Sequence, residues 1–76
     1  MTKKSLRNKL KVYRAMEDWT QEELARRVNV TRKTINTVEN GKYVPSTYLA
    51  LKIAAAFGVT VEELFQLDDE EVPDRP

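Results

Sequence analysis

The sequence has no cysteine and no histidine, and only two glycines and three prolines among its 76 residues. Without cysteine there are no disulfide staples, and without either residue the usual zinc sites have no ligands. Two common ways of stabilising a very small domain are thereby excluded, so the core has to come from apolar side chains packed between helices. The Gly-rich phosphate loop is missing too. Glu22 and Glu23 are not a catalytic carboxylate pair, because adjacent helical positions point in different directions. No enzyme, no cofactor and no bound metal is expected. No apolar run approaches the ~20 residues that span a bilayer, and the start Met-Thr-Lys-Lys lacks the apolar stretch of a secretory signal. The expectation is a cytoplasmic protein without membrane contact.

What is present is an uneven distribution of charge. The formal net charge of +1 conceals eleven basic against five acidic residues over 1–43, a net of +6. The remainder has two basic and seven acidic residues, a net of −5. A nucleic-acid surface at one end and a solvated acidic segment at the other produce this pattern, and so do two ordinary solubilising faces. Charge alone does not separate them.

Hydrophobic spacing and capping residues divide the chain into short helices, with almost no strand signal. Leu6, Leu10, Tyr13 and Met16 recur at intervals of four and three, which predicts an amphipathic helix from Ser5 to about Glu17, ended by Asp18 and Trp19. Thr20-Gln-Glu-Glu is a capping box, in which Thr20 and Glu23 each satisfy the other's exposed backbone donor, and it starts a second helix ending near Val28. Asn29 tolerates the left-handed backbone that a tight corner needs. Thr31 caps a third helix that runs to about Glu39, with Asn40-Gly41 as its stop. Ser46 caps a fourth, with Leu49, Ile53 and Phe57 on one face and Gly58 closing it. Thr60-Val-Glu-Glu is a second capping box, for a short fifth helix that places Leu64 and Phe65 for burial. The domain is therefore expected over 1–67, and the acidic stretch 68–76, with too little apolar area to offset ordering, is expected to be a disordered tail. Lys3, Lys4 and Arg7 suggest a basic arm at the other end, a weak signal because short basic N-termini are common.

The stretch from Thr20 to Gly41 thus describes two helices joined by a three- or four-residue turn, with Leu24, Ala25, Val28, Val30, Ile35 and Val38 inside. In a unit of this kind the second helix enters the major groove of duplex DNA and its N-terminal residues face base edges. Here those residues are Thr31, Arg32, Lys33, Asn36 and Thr37. Arg and Lys donate to guanine O6 and N7, Asn pairs with adenine, and a Thr methyl touches the thymine methyl. The duller alternative for Arg32 and Lys33 is a solvated face. Tyr13 and Trp19 are expected as core or capping aromatics, because base stacking belongs to exposed rings on single-strand binders.

The pattern continues beyond this unit. Thr20-Gln-Glu-Glu-Leu-Ala, then Val30-Thr-Arg-x-Thr-Ile, then Val38-Glu-Asn-Gly-Lys with Pro45-Ser46, and finally Phe57-Gly-Val-Thr-Val-Glu-Glu-Leu-Phe follow one another over roughly 50 residues. In this order they resemble the XRE-like family of phage and bacterial regulators, the Cro and repressor type of helix-turn-helix. The opening Leu6-Arg-Asn-Lys-Leu-Lys-Val-Tyr-Arg resembles its very small stand-alone members. The resemblance implies an all-α, five-helix, lambda-repressor-like domain that binds double-stranded DNA as a homodimer, in a bacterial or phage setting at the nucleoid. It also implies a phosphate anchor at Gln21, backbone contacts from Asn40, Lys42 and Tyr43, and an ion pair between Arg14 and Glu39. Asn29 departs from the glycine common at that turn. Arg26, a candidate phosphate contact, and Arg27 reach the backbone or merely solubilise their helix, and the sequence does not rank the two.

More apolar surface lies near the C-terminal end than a five-helix core needs, so Leu51, Leu64, Phe65 and Leu67 are the candidate dimer contacts. With no pocket for an inducer evident, regulation is expected by concentration, by competition or through a protein partner. The rival expectation is an antitoxin-like or anti-repressor module whose main partner is another protein, which the acidic tail favours.

Overall fold

The computed structural model, which describes residues 6–67, contains five helices and a two-stranded ribbon. In chain order these are β1 (Leu6–Asn8), α1 (Leu10–Glu17), α2 (Gln21–Arg27), α3 (Arg32–Glu39), α4 (Thr47–Phe57), α5 (Val61–Leu64) and β2 (Phe65–Leu67). The acidic stretch 68–76, Lys3 and Lys4 lie outside the described residues.

Each of the last four helices begins where a side-chain hydroxyl meets an orphan N–H. Thr20, Thr31, Ser46 and Thr60 accept from the backbone N–H groups of Glu23, Thr34, Leu49 and Glu63, at 3.0 to 3.2 Å. Such a cap contributes about 1 kcal/mol. At Thr60 the box is complete, since the Glu63 carboxylate accepts from the Thr60 N–H at 2.8 Å, and that bond holds its pKa below the ordinary value. At Thr20 the expected box is only half made. The Glu23 carboxylate turns to Arg26 and Arg27 instead, at 2.6 and 2.7 Å, because charged donors one turn along outbid a neutral N–H.

The N-terminal segment departs further from its periodicity. The helix expected from Ser5 begins at Leu10, because Leu6–Asn8 pair antiparallel with Phe65–Leu67 in the register Leu6↔Leu67, Arg7↔Gln66 and Asn8↔Phe65. Asn8 then breaks the strand. Its Oδ1 accepts from the Leu10 N–H at 3.1 Å, while its Nδ2 donates to the carbonyls of Val38 at 3.0 Å and Glu39 at 3.3 Å. One amide thus serves the start of α1 and the end of α3, and Met16, expected inward, is 70% exposed.

The core is formed by Leu10, Leu24, Val28, Ile35, Val38, Ile53 and Leu64, all essentially without solvent contact. Ala25, the small residue of α2, is buried as expected; Val30, Tyr13 and Trp19 pack against the core without being enclosed by it. Trp19 stacks on Phe57 with ring centroids 5.2 Å apart, and the Arg27 guanidinium lies over the indole, 4.1 Å from its centroid. These contacts give the tryptophan the packing role expected of it.

The corner between α2 and α3 turns on Asn29, whose φ is +60°. A β-branched side chain in that conformation clashes with its own carbonyl. Asn29→Val is therefore expected to lose about 1–2 kcal/mol of stability, whereas Asn29→Gly keeps or raises it. Chemical denaturation of the two variants checks this, and equal midpoints would show that the corner carries no such constraint.

Candidate nucleic-acid interface

α2 and α3 meet at the Asn29 corner with Leu24, Ala25 and Val28 of one against Ile35 and Val38 of the other. Burial of these positions turns the opposite side of α3 outward, and there Arg32, Lys33 and Asn36 are exposed. Arg32 and Lys33 form no ion pair among the described residues, so both cations are available to an external acceptor.

Two of the five expected base-facing residues are more constrained. Thr31 is exposed, but its hydroxyl already accepts from the Thr34 N–H and lies 3.1 Å from the Thr34 hydroxyl. Thr37 is half-buried and donates its hydroxyl proton to the Thr34 carbonyl at 2.9 Å. With their hydroxyls engaged, both are better suited to apolar contact with thymine through their methyl groups than to polar reading.

The segment after α3 folds back over that helix, since the N–H groups of Lys42 and Tyr43 both donate to the Thr37 carbonyl, at 3.0 and 3.2 Å. Lys33, Thr34, Thr37, Lys42 and Tyr43 consequently line an open groove of about 330 Å³. Lys33 and Lys42 give this groove two cationic side chains and Tyr43 a phenol, while the hydroxyls of Thr34 and Thr37 are already engaged within α3 and its cap.

Arg26 is exposed and bound to Glu23, which raises its own pKa and lowers that of Glu23. It reaches a phosphate only by exchanging that partner. Gln21, the expected phosphate anchor, is half-buried and turned toward the protein. Its Nε2 donates to Glu39 Oε1 at 3.0 Å and to Asn36 Oδ1 at 3.2 Å. Asn40 completes the chain by donating to Asn36 Oδ1 at 3.4 Å.

The expected ion pair is present. Arg14 Nε lies 2.5 Å from Glu39 Oε2 and its Nη2 donates to Oε1 at 3.2 Å, with side chains only 15% and 6% exposed. A third donor, Nη1, reaches the Trp19 carbonyl at 2.9 Å. This bidentate pair fixes α3 against α1 and the start of α2. Among the described residues no group of three acidic side chains comes together to hold a metal ion.

The helix-turn-helix family profile matches residues 10–64, from the start of α1 to the end of α5. The chain belongs to the XRE-type helix-turn-helix family. It is 52% identical over 66 residues to the uncharacterized HTH-type transcriptional regulator MJ0272 of Methanocaldococcus jannaschii, covering 87% of this chain and 100% of that one. It is 46% identical over 65 residues to YgzD of Bacillus subtilis, with 86% and 98% coverage. A crystal structure of the hypothetical transcription factor NHTF from Neisseria superposes with a TM-score of 0.68 at 31% identity. That match covers 71% of this chain and 61% of the other, so this chain spans less than two thirds of that protein's length. This helix-turn-helix regulator has both archaeal and bacterial relatives, a wider range than the bacterial or phage setting expected from its motifs.

The four candidate dimer contacts separate into two kinds. Leu64 is completely enclosed, which makes it part of the regulator's own core and removes it as a contact; Phe65, nearly enclosed, belongs mainly to the core but still lines the groove beside Leu51 and Leu67. Leu51 and Leu67 remain outside, at 55% and 47% exposure. With Leu6, Pro45, Ala50 and Val61 they border an apolar groove of about 400 Å³. Neither the role of Asn8 nor the inward turn of Gln21 had a signal at the sequence level, although Gln21 itself was expected there as a phosphate anchor. Asn8 lies 30 residues from its α3 partners, and the amide chain through Gln21 depends on how α2 meets α3. Among the described residues no helix is long and apolar enough to cross a membrane.

Proposed function

We propose that this regulator acts as a repressor, binding a palindromic operator as a two-fold dimer with α3 of each copy in the major groove. The observation that carries it is the division of α3 into a buried side, Ile35 and Val38, and an exposed side, Arg32, Lys33 and Asn36. An apolar side alone would hold the helix in place; unpartnered cations beside an exposed amide are what a duplex requires of it.

Association begins with cations displacing counterions from the phosphate backbone, which brings the domain onto DNA with little regard to sequence. Lys42 and Tyr43 then hold the register at the phosphates, and Arg32, Lys33 and Asn36 read base edges. One recognition helix covers only a few base pairs, so a useful affinity takes two copies on half-sites about one helical turn apart. The exposed apolar groove bordered by Leu51 and Leu67 supports a second copy as the source of that symmetry. Occupying an operator is sufficient to block transcription. The rival occupant of the groove is a different protein, and the mass of the purified species in solution separates the two.

Selection from a random duplex pool, followed by titration of the best sequence at several salt concentrations, tests the proposal. The expected result is a palindromic consensus with steep salt dependence. Arg32→Ala is expected to lose about 1–3 kcal/mol and flatten the preference at its position. Lys42→Ala weakens all sequences alike and reduces the salt slope by about 1. Indifference to every duplex at low ionic strength would end the proposal.

A further inference from the structure

We infer that Asn36 meets DNA as a hydrogen-bond donor only, and that a relay starting at the partly buried Arg14 determines this. A free asparagine amide presents both a donor and an acceptor, and it matches adenine by using them together, giving a proton to N7 and taking one from N6. The surroundings of Asn36 remove half of that capacity.

The polarity is set by groups that cannot be reversed. A guanidinium has only donors and an ionised carboxylate only acceptors. Arg14 holds Glu39 from one side, and Glu39 Oε1 accepts from Gln21 at 3.0 Å, so the NH₂ end of Gln21 has to face the carboxylate. The same NH₂ lies 3.2 Å from the Asn36 amide, and a donor there requires an acceptor opposite. Asn36 therefore points Oδ1 inward, where Asn40 Nδ2 also donates to it, at 3.4 Å. Two donors account for both lone pairs of that oxygen, while Asn36 Nδ2 has no partner among the described residues. Its two N–H groups stand on the exposed side of α3, one turn beyond Arg32.

A donor without an accompanying acceptor does not single out adenine. It pairs with N7 of either purine, or with the O6 of guanine and the O4 of thymine. Asn36 thus selects a purine or a keto base and rejects cytosine, and Gln21 is the positioning residue that keeps it so. The inference rests on the proposed reading of DNA by α3.

The test compares wild type, Asn36→Ala and Gln21→Ala in the same pooled-duplex selection, with circular dichroism confirming that each variant is folded. Wild type is expected to show one position where adenine and guanine, or guanine and thymine, are accepted within about threefold of each other, and that preference disappears in Asn36→Ala. In Gln21→Ala the amide is free to turn, and the same position gains about tenfold in favour of adenine, whatever happens to overall affinity. An Asn36-dependent position that accepts adenine alone in wild type overturns the inference. So does the lack of any Asn36-dependent position, or a Gln21→Ala preference identical to wild type. Failure to bind any duplex defeats the parent proposal, and is a different result from a bound duplex with an adenine-only position.

Discussion

Glu39→Ala is expected to lower stability by about 3 kcal/mol, the cost of removing one member of a largely buried ion pair. At roughly 4–8 °C per kcal/mol for a domain of this size, the thermal midpoint falls by about 12–24 °C. The effect is large because the charge left behind has nowhere to go. Arg14 is 15% exposed, and without Glu39 its guanidinium keeps, among the described residues, only the Trp19 carbonyl as a partner. Gln21 loses its anchor in the same step. Replacing both members, Arg14→Met with Glu39→Leu, is expected to restore most of the loss, since it leaves no unpaired charge inside. Calorimetry of the single and double variants decides the matter, and a Glu39→Ala midpoint equal to wild type would mean that the pair contributes nothing.

Leu51→Asp is expected to leave the fold intact and to weaken operator binding by about 10²–10⁴, the usual advantage of two linked contacts over one. Leu51 is 55% exposed, so a carboxylate there costs the monomer little. On the proposed two-fold arrangement it faces the apolar groove of a second copy, where an unpaired charge is strongly disfavoured. Leu64→Asp is no substitute, because Leu64 is completely enclosed and the change would unfold the domain. Sedimentation should show the Leu51→Asp protein as a monomer at concentrations where wild type is dimeric. Full operator affinity in that variant would exclude this face as the contact.

Both predictions concern side chains whose types were informative in the sequence, yet only one pairing was legible there. Arg14 with Glu39 followed from the resemblance to the family, and the structure contains it. The dimer face was half legible. Four apolar residues near the C-terminal end were in excess of an expected core, and two of them, Leu64 and Phe65, are needed by that core after all. Apolar character alone carries no indication of which side of a short helix or strand faces inward when the following segment pairs with a strand about 60 residues away.

Helix starts were readable because a cap involves residues only three apart, and Thr20, Thr31, Ser46 and Thr60 all do what their local chemistry dictates. The exceptions have competing partners. Glu23 leaves its cap for two arginines, and Leu6 leaves its helical spacing for a ladder with Leu67. Met16 fails for a related reason: once α1 starts at Leu10, the stripe that begins at Leu6 no longer defines its inner face.

By itself, then, the sequence determined the last four helices, their corners and the class of surface that α3 offers, since each depends on spacings of one to four residues. The tertiary structure alone decided the β1–β2 ribbon, the enclosure of Leu64 and the direction in which the Asn36 amide points. Those outcomes arise between groups 15 to 61 residues apart along the chain, brought together only when burial of the apolar sides has set how the helices meet. No local pattern records where a distant donor will stand.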